Sequence, residues 1–127
     1  MPEKILLPST ANKTIRRAYT DGPHGQIHYW TAGKGEALLL IHQSSSSQEE
    51  YTALVPYLAE DYFLIAYDWP GHGSSDDPDH ELGVESYTES ALHILDHLGI
   101  SKAHVLGHHG GALLSMNLSY IHPERVS

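Results

Sequence analysis

The apolar positions of this chain fall into short runs that suit strands and into 3.6-residue stripes that suit helices, and the two kinds alternate. Residues 15–20 can form a first strand, Asp21-Gly22-Pro23 supplies turn chemistry, and Gln26 to Ala32 reads as a second strand, so the chain opens on a hairpin. Gly33-Lys34-Gly35 turns it into the unbroken apolar run Ala37-Leu38-Leu39-Leu40-Ile41, which suits a parallel strand covered on both faces. Tyr51, Leu54, Val55 and Leu58 then stand at i, i+3, i+4 and i+7 and predict a helix. Ser47 and Glu50 have the capping-box spacing that would start it. Phe63-Leu64-Ile65-Ala66-Tyr67 predicts the next buried strand, ending at Asp68, and a polar loop rich in Pro and Gly runs from Trp69 to about Gly83.

A second helix carries Tyr87, Ala91, Ile94, Leu95 and Leu98 on one face, with Ser86 and Glu89 as another capping box and Gly99 as its C′ residue. Ala103-His104-Val105-Leu106 is a short strand, and a glycine-rich turn leads into the mostly apolar segment from Ala112 to Ile121, closed by Pro123. The alternation predicts an α/β fold with a largely parallel sheet. A buried strand at the end of this series needs a neighbour or a cover, so the architecture reads as incomplete.

Composition narrows the class. The chain has 127 residues, enough for one domain with a modest core. Its 7 basic against 16 acidic residues give a formal charge of −9, without a basic patch to meet phosphates, so neither nucleic acid nor an anionic membrane is an expected partner. There are no cysteines, which excludes disulfides, thiolate metal sites and a Cys nucleophile. The Ile5-Leu6-Leu7 run is too short for a signal peptide, and no stretch approaches a membrane span, so a cytoplasmic location is expected. On that reading the glycosylation patterns at Asn12 and Asn117 are fortuitous.

The richest chemistry lies in Gly107-His108-His109-Gly110-Gly111, between a strand and a helix. A sharp strand-to-helix turn needs small residues around its central position, because the backbone passes close to itself there, and the helix start supplies free N–H groups and a positive dipole end. In this turn the chain resembles the α/β-hydrolase family, whose nucleophile elbow reads Gly-x-Ser-x-Gly. The stretch Asp68-Trp69-Pro70-Gly71-His72-Gly73-Ser74-Ser75 is similar to the family's segment after its fourth strand, and His42 to the His of its His-Gly oxyanion motif. The resemblance covers nearly the whole chain beyond residue 15. It implies a three-layer α/β-hydrolase sandwich, of which residues 1–127 would be the N-terminal portion of a single core domain. The family's acid and general-base His would lie in a later half.

Two positions depart from the family pattern. The nucleophile position holds His109, and the oxyanion motif reads His42-Gln43-Ser44. His109 is the catalytic candidate: its imidazole could attack an ester to give a labile acyl-imidazole, or act as general base on water. By the resemblance, Ser44 and Gly110 are the backbone N–H donors of an oxyanion hole. No cofactor is implied. His42, His72, His108 and His109 gather where α/β ligand sites form, but no carboxylate stands at a ligand spacing from them, so no metal is expected. His93 and His97 read as an exposed or half-buried helix face, and Asp76, Asp77 and Asp79 as a solvated loop. The expected function is hydrolysis of an ester, amide or related bond in a small molecule. The alternatives are a non-catalytic relative that binds a small ligand and an interaction module completed by another chain, with the oligomeric state open.

Overall fold

The computed structural model describes residues 14–127; the Asn12 pattern and the Ile5-Leu6-Leu7 run lie outside the described residues. Strands β1 (Arg16–Gly22) and β2 (Gly25–Gly33) form the expected hairpin, in register from Arg16 against Thr31 to Gly22 against Gly25. Three further strands follow: β3 (Glu36–Ile41), β4 (Tyr62–Tyr67) and β5 (His104–Gly107). They complete one sheet in the order β1-β2-β4-β3-β5, with β4, β3 and β5 mutually parallel and β2 antiparallel to β4.

Alternation within the central strands sends successive side chains to opposite faces, and both faces are covered. Leu39 and Ile41 of β3, with Ile65 and Tyr67 of β4, join Ile94, Leu95, Leu114 and Leu118 in one apolar cluster. Leu38 and Leu40, with Leu64 and Ala66, join Trp30, Tyr51 and Val55 in the other. The first cluster is roofed by helices α2 (Val84–His97) and α3 (Gly110–Ile121), the second by the 48–58 segment, which gives the three-layer arrangement expected of this pattern.

That last segment differs from the regular helix its stripe predicts. Gln48–Leu54 is a 3₁₀ helix, and only Val55–Leu58 (α1) is α-helical. Pro56 is the physical reason: in a continuous α-helix it would lack the N–H for the Thr52 carbonyl and its ring would clash there. The Val55 N–H bonds the Thr52 carbonyl in the tighter i→i−3 pattern instead. Ser47 caps the segment by accepting the Glu49 N–H, whereas Glu50 turns away and does not complete a capping box.

Helix α2 begins at Val84 with Gly83 as N-cap, so Ser86 and Glu89 lie inside it and form no cap; Val84 packs against the core and carries the helix one turn earlier. Its far end follows expectation: the Gly99 N–H bonds the Asp96 carbonyl and the Ile100 N–H the Leu95 carbonyl, the two bonds of a Schellman motif. His93 and His97 face the hairpin, within hydrogen-bond reach of the Thr20 hydroxyl (3.4 Å) and the Tyr29 hydroxyl (3.2 Å). Asp76 is exposed yet bonded, accepting the Gln26 N–H at 2.8 Å, so this residue ties its loop to β2.

β5 is one edge strand of the sheet and β1 the other among the described residues. Beside β5 the last residues make one parallel bridge, Ala103 to Val126, with the Ser127 N–H on the Ala103 carbonyl at 2.9 Å. Leu113, Met116, Tyr120 and Ile121 leave one side of α3 apolar and exposed. No helix among the described residues is long and apolar enough to cross a membrane.

Candidate functional site

The C-terminal ends of β3, β4 and β5 lie side by side, and three loops leave from them. The buried carboxylate of Asp68 holds two of these loops: it accepts the Gln48 N–H (2.8 Å), the Ser74 N–H (3.0 Å) and a hydrogen bond from His28 Nδ1 (3.0 Å). His42 secures the β3 and β4 ends to each other. Its Nδ1–H donates to the Gln43 carbonyl at 2.6 Å and its Nε2 accepts the Trp69 N–H at 3.1 Å, so neither nitrogen is left to ligate a metal. Burial pushes the His42 pKa down, with His72 adding to the shift and the Gln43 carbonyl opposing it, which keeps the ring neutral as this pair of bonds requires. Its ring stacks on Trp69 at 4.8 Å, and Trp69 continues to His72 and Tyr87. Among the described residues no group of three His, Asp or Glu side chains is arranged to hold a metal ion.

On this base sits the strand-to-helix turn. His109 caps α3 with φ 53° and ψ −114°, a left-handed φ that non-glycine residues adopt at a cost. Ser45 (φ 60°) is the other non-glycine residue with positive φ among the described residues, and it lies in the facing loop. The turn is closed by contact. A Cβ on Gly107 would stand 2.1 Å from the Gly111 carbonyl oxygen, and one on Gly111 2.1 Å from that of Ile41. A Cβ on Gly110 would stand 2.6 Å from the Ser44 Oγ and 3.4 Å from the Ser44 nitrogen, so two of the residues singled out in the sequence meet across the site. His109 is exposed above them.

Sequence reasoning missed Glu50 as a member of this site. One carboxylate oxygen accepts the Gln43 N–H at 3.1 Å, and the other accepts from His108 Nδ1 at 2.7 Å, while the His108 ring lies edge-on to His109 at 4.5 Å. Burial alone would raise the Glu50 pKa, but the donors from Gln43, Ser46 and His108 together hold its carboxyl below the usual range. Ser115, in contrast, spends its hydroxyl on the Gly111 carbonyl within α3.

This geometry coincides with a family match: residues 36–127 fit the family described as alpha/beta hydrolase fold. The chain belongs to the α/β-hydrolase fold family. Among curated relatives, it is 36% identical over 106 residues to the dihydrolipoyllysine-residue acetyltransferase component of the acetoin cleaving system of Pseudomonas putida, covering 81% of this chain and 29% of that protein. It is 33% identical over 101 residues to a soluble epoxide hydrolase of Corynebacterium sp. (strain C12), covering 80% of this chain and 35% of that one. Among solved structures, the α/β-hydrolase core superposes on an N-acyl homoserine lactonase complexed with N-butanoyl homoserine with a TM-score of 0.81, at 28% identity, covering 86% of this chain and 42% of that one. The chain thus spans well under half the length of each of these relatives.

Proposed function

We propose that the intact protein hydrolyses an ester, amide or related bond of a small molecule, with residues 1–127 forming the N-terminal portion of one α/β-hydrolase domain and His109 as its reactive side chain. The observation that carries this reading is the strained His109 backbone at the head of α3, beside Ser44 and Gly110. Strain of this kind persists where surrounding structure enforces it, and it lifts the imidazole clear of the sheet toward solvent. The Gly110 N–H is among the first amides of α3, which have no partner within the helix and stand at its positive end. With the Ser44 N–H it would meet the negative charge that develops on a carbonyl oxygen during acyl transfer. A nitrogen of His109 would bond to the carbonyl carbon as the alcohol leaves with a proton, giving an acyl-imidazole that water then hydrolyses.

The names of the epoxide hydrolase and the lactonase support hydrolysis of a small molecule in general. Lactone opening is the nearer parallel, since it passes through a charged carbonyl oxygen. Turnover of p-nitrophenyl butyrate by the full-length protein should fall to the solvent background in His109→Ala. Unchanged turnover would remove His109 from the reaction. Tight ligand binding in isothermal titration, with no turnover of any ester, would replace this reading with that of a non-catalytic binding relative.

A further inference from the structure

Five carboxylate–imidazole pairs lie among the described residues, and one differs from the others in kind. His28–Asp68 is buried on both sides. In His80–Asp79 and His104–Glu36 the carboxylate is largely solvent-exposed, and in His122–Glu124 the contact is long at 3.5 Å. The pair His108–Glu50 joins a shielded carboxylate, 18% exposed, to a half-exposed imidazole, 47%, at 2.7 Å. It is also the pair that stands at the C-terminal ends of the parallel strands, against the His109 ring.

The details of the contact fix the chemistry of the imidazole. Glu50 is held ionised by the Gln43 N–H, the Ser46 side chain and His108 itself, so its oxygen can only accept. The shared hydrogen bond therefore places the proton on His108 Nδ1 and leaves the Nε2 lone pair outward. The His108 backbone N–H is anchored on the Ile41 carbonyl at 3.2 Å, which fixes the ring's origin relative to β3. The titratable groups facing the ring are Glu50, from the 3₁₀ segment, and His109, from the turn itself. An imidazole whose Nδ1–H is held by a shielded carboxylate and whose Nε2 is open has the arrangement of a general base.

We propose that Glu50 and His108 form the acid–base pair for hydrolysis at His109, with His108 as the proton-transferring group and Glu50 as the residue that positions it. The proposal rests on the reading of His109 as acyl acceptor. In the second half of the reaction the water oxygen bonds to the acyl carbon and the water proton passes to His108 Nε2. The carbon–nitrogen bond to His109 then breaks, and the freed His109 nitrogen takes the proton back from His108. Glu50 stays ionised throughout and stabilises the transient imidazolium.

Two measurements on the full-length protein test this. Ring 15N NMR of the resting protein should find His108 in the Nδ1–H tautomer; the Nε2–H tautomer would overturn the proposal whether or not the protein turns over any ester. In stopped-flow mixing with p-nitrophenyl butyrate, Glu50→Gln and His108→Gln should keep the initial burst of p-nitrophenol but lose about 10²-fold or more in the steady-state rate, because acyl-His109 forms and is not cleared. Steady-state rates within a few-fold of wild type, in variants that retain the wild-type melting temperature, would overturn the proposal. Turnover by Glu50→Gln or His108→Gln with no acyl group found on His109 by mass spectrometry of the acid-quenched reaction would instead overturn the reading of His109 as acyl acceptor, on which the proposal depends.

Discussion

At the residue scale, three glycines in one turn are held by different neighbours, and the difference is measurable. An alanine at position 111 would drive its Cβ into the Ile41 and His42 carbonyl oxygens, both backbone and unable to yield. Gly111→Ala should therefore cost roughly 1–3 kcal/mol or more, seen as a lower urea midpoint. At position 110 the nearest obstacle is the Ser44 hydroxyl, the end of a short exposed side chain that can swing aside. Its next neighbour is the buried Trp69 ring at 3.1 Å, which must give by a few tenths of an ångström, so Gly110→Ala should cost less than Gly111→Ala and yet reduce ester turnover, because the new methyl crowds the space beside the Ser44 amide. Equal losses of stability in the two variants would contradict this account. The need for small residues here was legible in the sequence, since a sharp strand-to-helix turn demands it. The partnership of Glu50 with His108 was not, because it spans 58 positions and Glu50 already had a local explanation as a capping residue.

At the element scale, the strands and apolar stripes were readable from periodicity, while the type of helix over residues 48–58 was not read from it. Tyr51 and Val55 are both buried in one cluster even though the first lies in the 3₁₀ segment and the second opens α1, so the stripe records which residues are buried and not the type of helix that buries them. Pro56 carried the missing information. The start of α2 was misplaced for a related reason: Ser86-x-x-Glu89 has capping spacing, but tertiary packing of Val84 outweighs it. The join between β3 and β4 carries its own prediction through His42. In the unfolded chain this imidazole takes up a proton near pH 6.5, and in the folded chain only at lower pH, because burial disfavours the charge. Between those two points the unfolded state binds more protons, so His42 makes folding weaken as pH falls below about 6.5 and contributes no slope above it. Urea midpoints across that window should fall less steeply in His42→Asn, and an identical slope would assign the effect to another histidine.

At the scale of the whole molecule, the layering was legible in the sequence, but the order of the strands was not. Order depends on pairings that link distant segments, which a local pattern does not encode. The exposed stripe of Leu113 (52%), Met116 (68%) and Tyr120 (85%) on α3 lies on the side of β5, one of the two edge strands among the described residues, with Met116 and Tyr120 beside Val105. Apolar area of this kind drives association in water. The isolated 127-residue chain should accordingly scatter light as oligomers at rising concentration, and Met116→Glu with Tyr120→Glu should shift it toward monomer. A wild-type chain that stays monodisperse through a sharp thermal transition would show that this surface is tolerated as it stands.

The parallel pairing of β3 with β5 also governs the time at which the strand-to-helix turn comes into being. The β1–β2 hairpin joins neighbouring residues and can close within microseconds, whereas Leu38 must find His104 across most of the chain. The close approach of Gly111 to the Ile41 and His42 carbonyls needs β5 in place beside β3, so the packed form of this turn follows that pairing. A nascent or partly unfolded chain would therefore carry an ordinary relaxed histidine at this position. A turn completed only late in assembly would also be among the first to open when the native state is strained, so its amides would exchange ahead of those of the central strands.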